Sequence, residues 1–466
     1  MPFQFVLLWT DALIYVLLAT AVVFGLYAAR HEHLRTPWRQ VVRRPLATSA
    51  AVILAAYVAV GVLDSVHFRM RLADDGAAGA RYAAEVSSLL DVLARPLRER
   101  VEKTYSAPFA THAFTKETTE RGDGHHTREY PRLKFGAAHL ADPGNAQFDI
   151  ATRVLWSAMQ ALAVLALLMA AFVALTRGKA SFHERLGALL RGATEIPWRS
   201  IGATVGIVLF ALAAVFNLAT QYHIFGTDQV GQDVFYRSLK SVRTGLVIGT
   251  LTTLVMLPFA LLFGIMAGYF RGWVDDVIQY TYTTLSSIPG VLLIAASILS
   301  LQVYMANHPE QFDNVAARAD TRLLFLCLIL GVTSWTGLCR LLRGETLKLR
   351  EVDYIQAAHA LGVSHARIMT RHLLPNVMHI VLIAVVLDFS GLVLAEAVRS
   401  YVGVGVDPST ESWGNMINGA RLEMARDPMV WWSLAAAFTL MFGLVLAANL
   451  FADAVRDAFD PRLRRR

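Results

Sequence analysis

Apolar and polar residues along this chain do not alternate; they come in blocks. Nine long, mostly apolar stretches stand near 5–29, 46–66, 151–176, 201–221, 244–270, 278–304, 322–342, 377–398 and 429–451. A helix needs about 20 such residues to cross a bilayer core. Backbone groups in lipid must bond to one another within the protein. The blocks therefore predict nine transmembrane helices. A membrane β-barrel would show segments of about ten alternating residues, which these are not. The expected fold class is an all-α integral membrane protein.

Composition supports this. Only 17% of the 466 residues are charged, against about 25% in a soluble domain. The net charge of +7 would suit a nucleic-acid partner, but its placement speaks for topology. Basic residues gather in alternate loops: Arg30, Arg35, Arg39, Arg43 and Arg44; Arg177, Lys179, Arg185, Arg191 and Arg199; Arg340, Arg343, Lys348, Arg350, Arg367 and Arg371; and the tail with Arg456, Arg462, Arg464, Arg465 and Arg466. The short intervening loops hold fewer, with Arg237, Lys240 and Arg243 in 221–243 and Arg318 in 305–321. Basic loops stay in the cytoplasm, so the N-terminus is expected outside, and the loop at 340–375 and the tail inside. The long loop at 67–150 is basic too, but long loops cross largely regardless of charge. The first block lacks a basic n-region and is too long for a signal h-region, so it reads as a span. Cys327 and Cys339 share one helix and cannot pair; they read as small apolar residues. His125–His126, His31 and His33 have no partner at ligand spacing, and no metal site is expected.

Two regions result. Residues 1–200 hold three spans and the outside loop at 67–150. Residues 201–466 hold six spans with compact loops. In the outside loop, Val86, Leu89, Leu90, Leu93 and Leu97 predict an amphipathic helix over Arg81–Thr104.

The stretch from Glu351 to Pro375 carries clear local signals. Asp353 can cap a short helix, and Gly362 suits the left-handed position that ends it. Ser364 can cap a second helix from about His365 to Leu373. Pro375 then fits the first turn of the next span. Ala357 and Ala358 give the first helix a small-residue face that another protein can approach closely.

These residues carry a resemblance. Ala357-Ala358-x-x-x-Gly362, with Leu374-Pro375 twelve and thirteen residues later, resembles the E-A-A coupling loop of ABC-importer permeases. Gln356 stands where that motif has Glu. His223-Ile-Phe-Gly226-Thr227-Asp228 through Gly231, Asp233 and Arg237 resembles the segment after the first core span of dipeptide and oligopeptide permeases. There Gln232 replaces an Arg. Gly268 through Gly272, Trp273 and Asp275 resembles their next cytoplasmic turn. Ala395-Glu396-Ala397, Gly403-Val-Gly405 and Ser412-Trp413-Gly414-Asn415-Met416 resemble the end of their fifth span and the loop beyond it. Asn449, Asp453, Arg456-Asp457 and Asp460-Pro461-Arg462-Leu463 resemble their C-terminus. The set covers about 201–466 in family order and matches the "C" permease branch. It does not cover residues 1–200.

The resemblance implies a type I importer core in the last six spans, in a bacterial inner membrane. It implies a homologous partner permease, two ATPase subunits that hold ATP and Mg, and a substrate-binding protein outside. The coupling loop at 343–375 would meet the ATPase through Gln356, Ala357, Ala358, Leu361, Gly362, Leu374 and Pro375. The chain itself has no Walker A sequence, no nucleophile–base pair and no expected cofactor, so it is not expected to be an enzyme. Asp228, Asp233 and Arg237 could pair with one another or meet the partner permease or the binding protein. Asp388 and Glu396 lie in the eighth block, and intramembrane carboxylates tend to face a cavity or partner. Both are candidates for the translocation path. Asp388 sits where the family has a small residue, and either lines the path or bonds a neighbouring helix. The competing reading is a secondary transporter with these carboxylates as ion sites; a membrane docking protein without flux is a third. The substrate is open among dipeptides, oligopeptides, nickel chelates and peptide antibiotics, as is the role of the 67–150 loop.

Overall fold

A computed structural model of the chain describes residues 3–71, 82–120, 126–175, 195–312 and 314–459, with positions 184, 187, 189, 191 and 192 between them. Among these residues nine helices are long and apolar enough to cross a membrane. Their outward faces carry large apolar side chains such as Leu167, Leu175, Ile207 and Phe216, the surface a lipid solvent requires.

In chain order, strand β1 (Phe3–Val6) leads into α1 (Trp9–Arg30), α2 (Glu32–Arg43) and α3 (Pro45–Asp64). Strands β2 (His67–Met70) and β3 (Ser87–Ser88) precede the short helices α4 (Leu89–Leu93) and α5 (Arg95–Glu99). A hairpin of β4 (Glu117–Glu120) and β5 (His126–Glu129) follows. Then come α6 (Ala146–Leu175), α7 (Trp198–Ala219), α8 (Val234–Phe270), α9 (Gly272–Ser287), α10 (Gly290–Asn307) and α11 (Val315–Arg350). The short α12 (Asp353–Ala360) and α13 (His365–Ile368) precede α14 (Leu374–Tyr401), α15 (Trp413–Glu423) and α16 (Trp432–Phe459). The spans alternate in direction. The face holding residues 351–373 is called proximal below, and the face holding 82–142 distal.

Three expectations change. The amphipathic helix over Arg81–Thr104 is two helices of five residues each. Ser88 and Asp91 close a reciprocal capping box that starts the first only at Leu89, and Pro96 resets the chain for the second. The sixth block, 278–304, is broken: α9 stops at Ser287, Ile288 is extended before Pro289, and α10 begins at Gly290. A residue before proline avoids the helical region. The fifth span begins at Val234, so Arg237, Lys240 and Arg243 lie on a helix rather than in a loop.

Lys240 and Arg243 are tolerated inside because the N-terminal region brings acids to them. The Arg243 guanidinium lies 2.5 Å from Asp11 of α1 and donates to Thr10 Oγ1 at 2.8 Å. Lys240 lies 2.8 Å from Asp91 and 3.6 Å from Asp64. His67 contacts the other Asp11 oxygen at 2.7 Å. Strand β1 pairs with β2 in antiparallel register, Phe3 opposite Met70, which clasps the distal ends of the first two spans. Deeper in, Tyr57 of α3 donates to Leu440 O of α16 at 2.8 Å. At the proximal face Arg44 meets Asp457 at 2.5 Å, and Val41 packs with Ala454, Val455 and Ala458. The α2–α3 segment is thus bonded to the core from end to end, and α1 at its distal end.

Within the core, α8 and α11 lie along each other. Their lengths, 37 and 36 residues, give about 55 Å each, well beyond an apolar layer of about 30 Å. Close approach rests on small residues. A Cβ added to Gly264 would come within 3.0 Å of Cys339 O, one on Gly268 within 2.8 Å of Arg343 O, and one on Gly331 within 3.0 Å of Thr252 O. Cys327 and Cys339 are free and buried.

Candidate coupling surface and path residues

The proximal site is built on the end of α11. Arg343 grips Asp275 with two bonds of 2.6 Å, and these bonds hold the Asp275 carboxyl below the usual carboxylate range. Arg350 donates to Tyr269 O at 2.9 Å, and Arg271 meets Glu351 at 2.6 Å. The turn at 268–275 and the start of the loop are thereby one unit. Val352, not Asp353, is the cap residue of α12; Asp353 is its first helical residue, where a carboxylate favours the helix dipole.

Helix α12 ends as its sequence predicts. Gly362 has φ +75°, its N–H reaches His359 O at 3.0 Å, and Val363 N–H reaches Ala358 O at 3.1 Å. This is the Schellman pair of bonds. The helix is anchored inward by Ile355 and Ala358, both buried beside Ile368 and Leu373. Asn376 of α14 donates to Tyr354 OH at 3.0 Å. Gln356, Ala357 and Gly362 are exposed, and Leu361 is 83% exposed. A large apolar side chain thus stands free at the tip of a firmly held helix. Of the two alanines, Ala357 alone faces out; Ala358 lets α12 sit close on its own spans.

After Ser364, α13 passes into a π-helical turn, Met369–Leu373, which runs on into α14. Pro375 therefore lies in a continuous helix, and the i→i+5 bonding just before it accommodates a residue without an N–H. Leu374 is half-buried and Pro375 exposed. His365, which no motif marks as a contact residue, joins the two halves of the site: its Nδ1 lies 2.8 Å from Tyr269 OH, and its ring stands against His359.

At the distal face, the family-like segment is satisfied within the chain. Asp233 caps α8 by accepting from Tyr236 N at 3.0 Å, and its other oxygen meets His223 Nδ1 at 2.8 Å. Asp228 accepts from Val230 N and Gln232 N and pairs with Arg237 at 2.6 Å; Arg237 also meets Glu411 at 3.0 Å. Gly226 (φ +63°) and Gly231 (φ +76°) are where the irregular segment 102–107 lies against the core: a Cβ would clash with Ser106 O and Glu102 O. Glu102 accepts from the N–H groups of Lys134, Phe135 and Gly136 and stands 3.5 Å from His223 Nε2. Burial opposes charge on both groups, but these bonds outweigh it, and His223 is pushed up to about 9 and Glu102 down to about 2.

The two carboxylates of the eighth span separate. Glu396 is buried and accepts from Ser400 Oγ at 2.7 Å. A Cβ on Gly414 would lie 2.6 Å from its Oε1, so α15 sits directly on it. Asp388 is half-buried at the middle of α14 and has no hydrogen bond or ion pair among the described residues. Arg399, not singled out from sequence, is eleven residues on, close to three turns, and shares the Asp388 face. Its Nε and Nη1 are buried without a partner. The motif residues farther along bond to neighbouring spans: Trp413 Nε1 donates to Ser238 O at 3.0 Å, and Asn449 accepts from Ser390 Oγ at 2.9 Å. Asp460–Leu463 lie outside the described residues, as does His125.

Comparison with known proteins places this geometry. The binding-protein-dependent transport system inner membrane component family matches residues 260–465. The glutathione transport system permease protein GsiD of Pectobacterium atrosepticum is 32% identical over 244 residues, 52% of this chain and 73% of that protein. The chain belongs to this family. A putative peptide permease of Brucella suis is 30% identical over 54% of this chain and 77% of its own length. The oligopeptide transport system permease protein OppC of Mycobacterium tuberculosis is 30% identical over 52% and 77%. The chain is therefore a multi-pass permease subunit of an ABC importer, and the ion-driven secondary transporter is set aside. The matched residues of this permease include α12, the π-helical turn, Asp388 and Glu396.

Proposed function

We propose that this permease is the "C"-type subunit of an ATP-driven importer of short peptides or related small solutes. It pairs with a second permease, and two ATPase subunits bind ATP and Mg on the proximal, cytoplasmic side. A binding protein delivers solute to the distal side, outside the cell. The N-terminus lies outside and the C-terminus inside. Relatives that carry glutathione and oligopeptides support the substrate class, and the alternation of basic loops supports the orientation.

The observation that carries the coupling role is Leu361. A free leucine at the tip of a helix whose other face is locked inward suits insertion into an apolar groove. Gln356, Ala357 and Gly362 surround it as the remaining contact surface. Ala358, Leu374 and Pro375 act from behind by holding the helix and its link to α14. Force on the tip passes through the Arg343–Asp275 and Arg350–Tyr269 bonds to α8 and α11, which pack closely along each other. Asp388 lines the path and favours cationic groups such as a peptide amine; Glu396 holds α15 instead.

The test is Leu361→Asp in the assembled complex, reading uptake into proteoliposomes and solute-stimulated ATP hydrolysis. The expected result is loss of both with the chain present at its usual level. Uptake at the wild-type rate would refute the coupling role.

A further inference from the structure

The turn between α8 and α9 holds two successive residues at positive φ. Arg271 has φ +57° and ψ −171°, a backbone region essentially reserved for glycine. Gly272 follows at φ +56°, and a Cβ built on it would meet nothing within 4 Å. The turn is strained and has open space beside it. Strain of this kind persists only where the surroundings hold it, and polar groups of the coupling segment grip this turn.

Glu351 pairs with Arg271 at 2.6 Å, but both side chains are exposed, and such a pair adds little. The stronger grip is on Tyr269, two residues before Arg271. Arg350 donates to its carbonyl at 2.9 Å. Arg350 ends α11, so this bond ties the turn to a span. His365 takes the same tyrosine by its other end: its Nδ1 lies 2.8 Å from the hydroxyl of the buried Tyr269. His365 begins α13, so this second bond ties the turn to the loop that carries α12. The His365 ring also stands 5.6 Å from the rings of Tyr269 and Phe270, and 5.5 Å from that of His359 on α12. It touches the turn on one side and α12 on the other.

We propose that His365 is a positioning residue for coupling: through Tyr269 it passes displacement of the α12–α13 loop to the strained turn at the end of α8. The proposal rests on the coupling role of α12. A displacement that breaks the His365–Tyr269 bond removes one of the contacts that hold Arg271, and the turn relaxes into the space beside Gly272.

The test is hydrogen–deuterium exchange on the complete complex in nanodiscs, with and without Mg-ATP and vanadate. In the wild type, nucleotide should change amide exchange over both 353–362 and 268–275. Tyr269→Phe and His365→Phe keep the rings and lose the bond. In both, the response over 353–362 should persist and that over 268–275 should fall roughly three-fold or more. His365→Asn places an amide oxygen or nitrogen where the imidazole holds Nδ1, and should keep both responses. A purely structural role would alter exchange with and without nucleotide alike and leave the difference unchanged. The proposal is overturned if 268–275 does not respond in the wild type, if it responds equally in the two phenylalanine variants, or if His365→Asn loses the response as fully as His365→Phe. Failure of the coupling role shows separately, as no response over 353–362, and would overturn both.

Discussion

Gly362 offers a substitution series in which strain and contact can be separated. Its φ of +75° is left-handed, and a Cβ built on it would meet nothing within 4 Å. An alanine there costs strain alone, roughly 1–2 kcal/mol. That is about a 5- to 30-fold shift of the local equilibrium toward an uncapped end, since 1.4 kcal/mol is about ten-fold. The two bonds at stake are those from Gly362 N–H to His359 O and from Val363 N–H to Ala358 O. The spans are untouched, because Ile355 and Ala358 remain seated in the core cluster. Asparagine adopts the left-handed conformation more readily, so Gly362→Asn should keep most uptake and Gly362→Ala should lower it several-fold. Gly362→Asp adds a charge beside Leu361 and should uncouple ATP hydrolysis from uptake. The assay is uptake and hydrolysis by the reconstituted complex, normalised to chain in the membrane. Wild-type uptake by Gly362→Asp at normal expression would refute the reasoning.

Asp388→Asn is expected to remove any preference for cationic peptides, measured as competition between charge classes; equal wild-type rates for every class would end the path assignment. Arg243→Met leaves the buried Asp11 with His67 as its remaining partner, at up to about 3–5 kcal/mol, and should lower the folded yield in detergent. Adding Asp11→Asn should recover part of it, and simple additivity would contradict a direct pair. His223, raised to about 9, binds its proton more tightly folded than unfolded. Its stabilisation is full below about pH 6.5 and is lost as pH rises through about 9. Glu102, lowered to about 2, contributes above about pH 4.5 and loses its effect as pH falls through 2. The melting temperature should therefore fall from pH 6.5 toward 9, and His223→Gln should flatten that slope; an unchanged slope would contradict the pairing with Asp233 and Glu102.

The spans were legible because length and apolarity are local properties. So was the end of α12, where one glycine sets both backbone bonds. The break at Pro289 was legible in principle, but block hydrophobicity hid it. Other features depend on pairing across the chain. Gly226 and Gly231 were legible only as motif letters, since the carbonyls they face belong to Ser106 and Glu102. Lys240 and Arg243 resembled loop charges until Asp91 and Asp11 were beside them. Strands β1 and β2 are four residues each and gain meaning only across two spans. The outward direction of Ala357 and the inward direction of Ala358 follow from packing, which a two-alanine motif does not disclose.

In the proposed coupling the tip of α12 touches an ATPase subunit. A photo-crosslinking residue in place of Leu361, in the complex purified from its native membrane, tests it most directly. The expected result is an adduct between this permease and an ATPase subunit that changes in yield when ATP is added. An adduct absent at 361 but present from a lipid-facing or distal position would contradict the account.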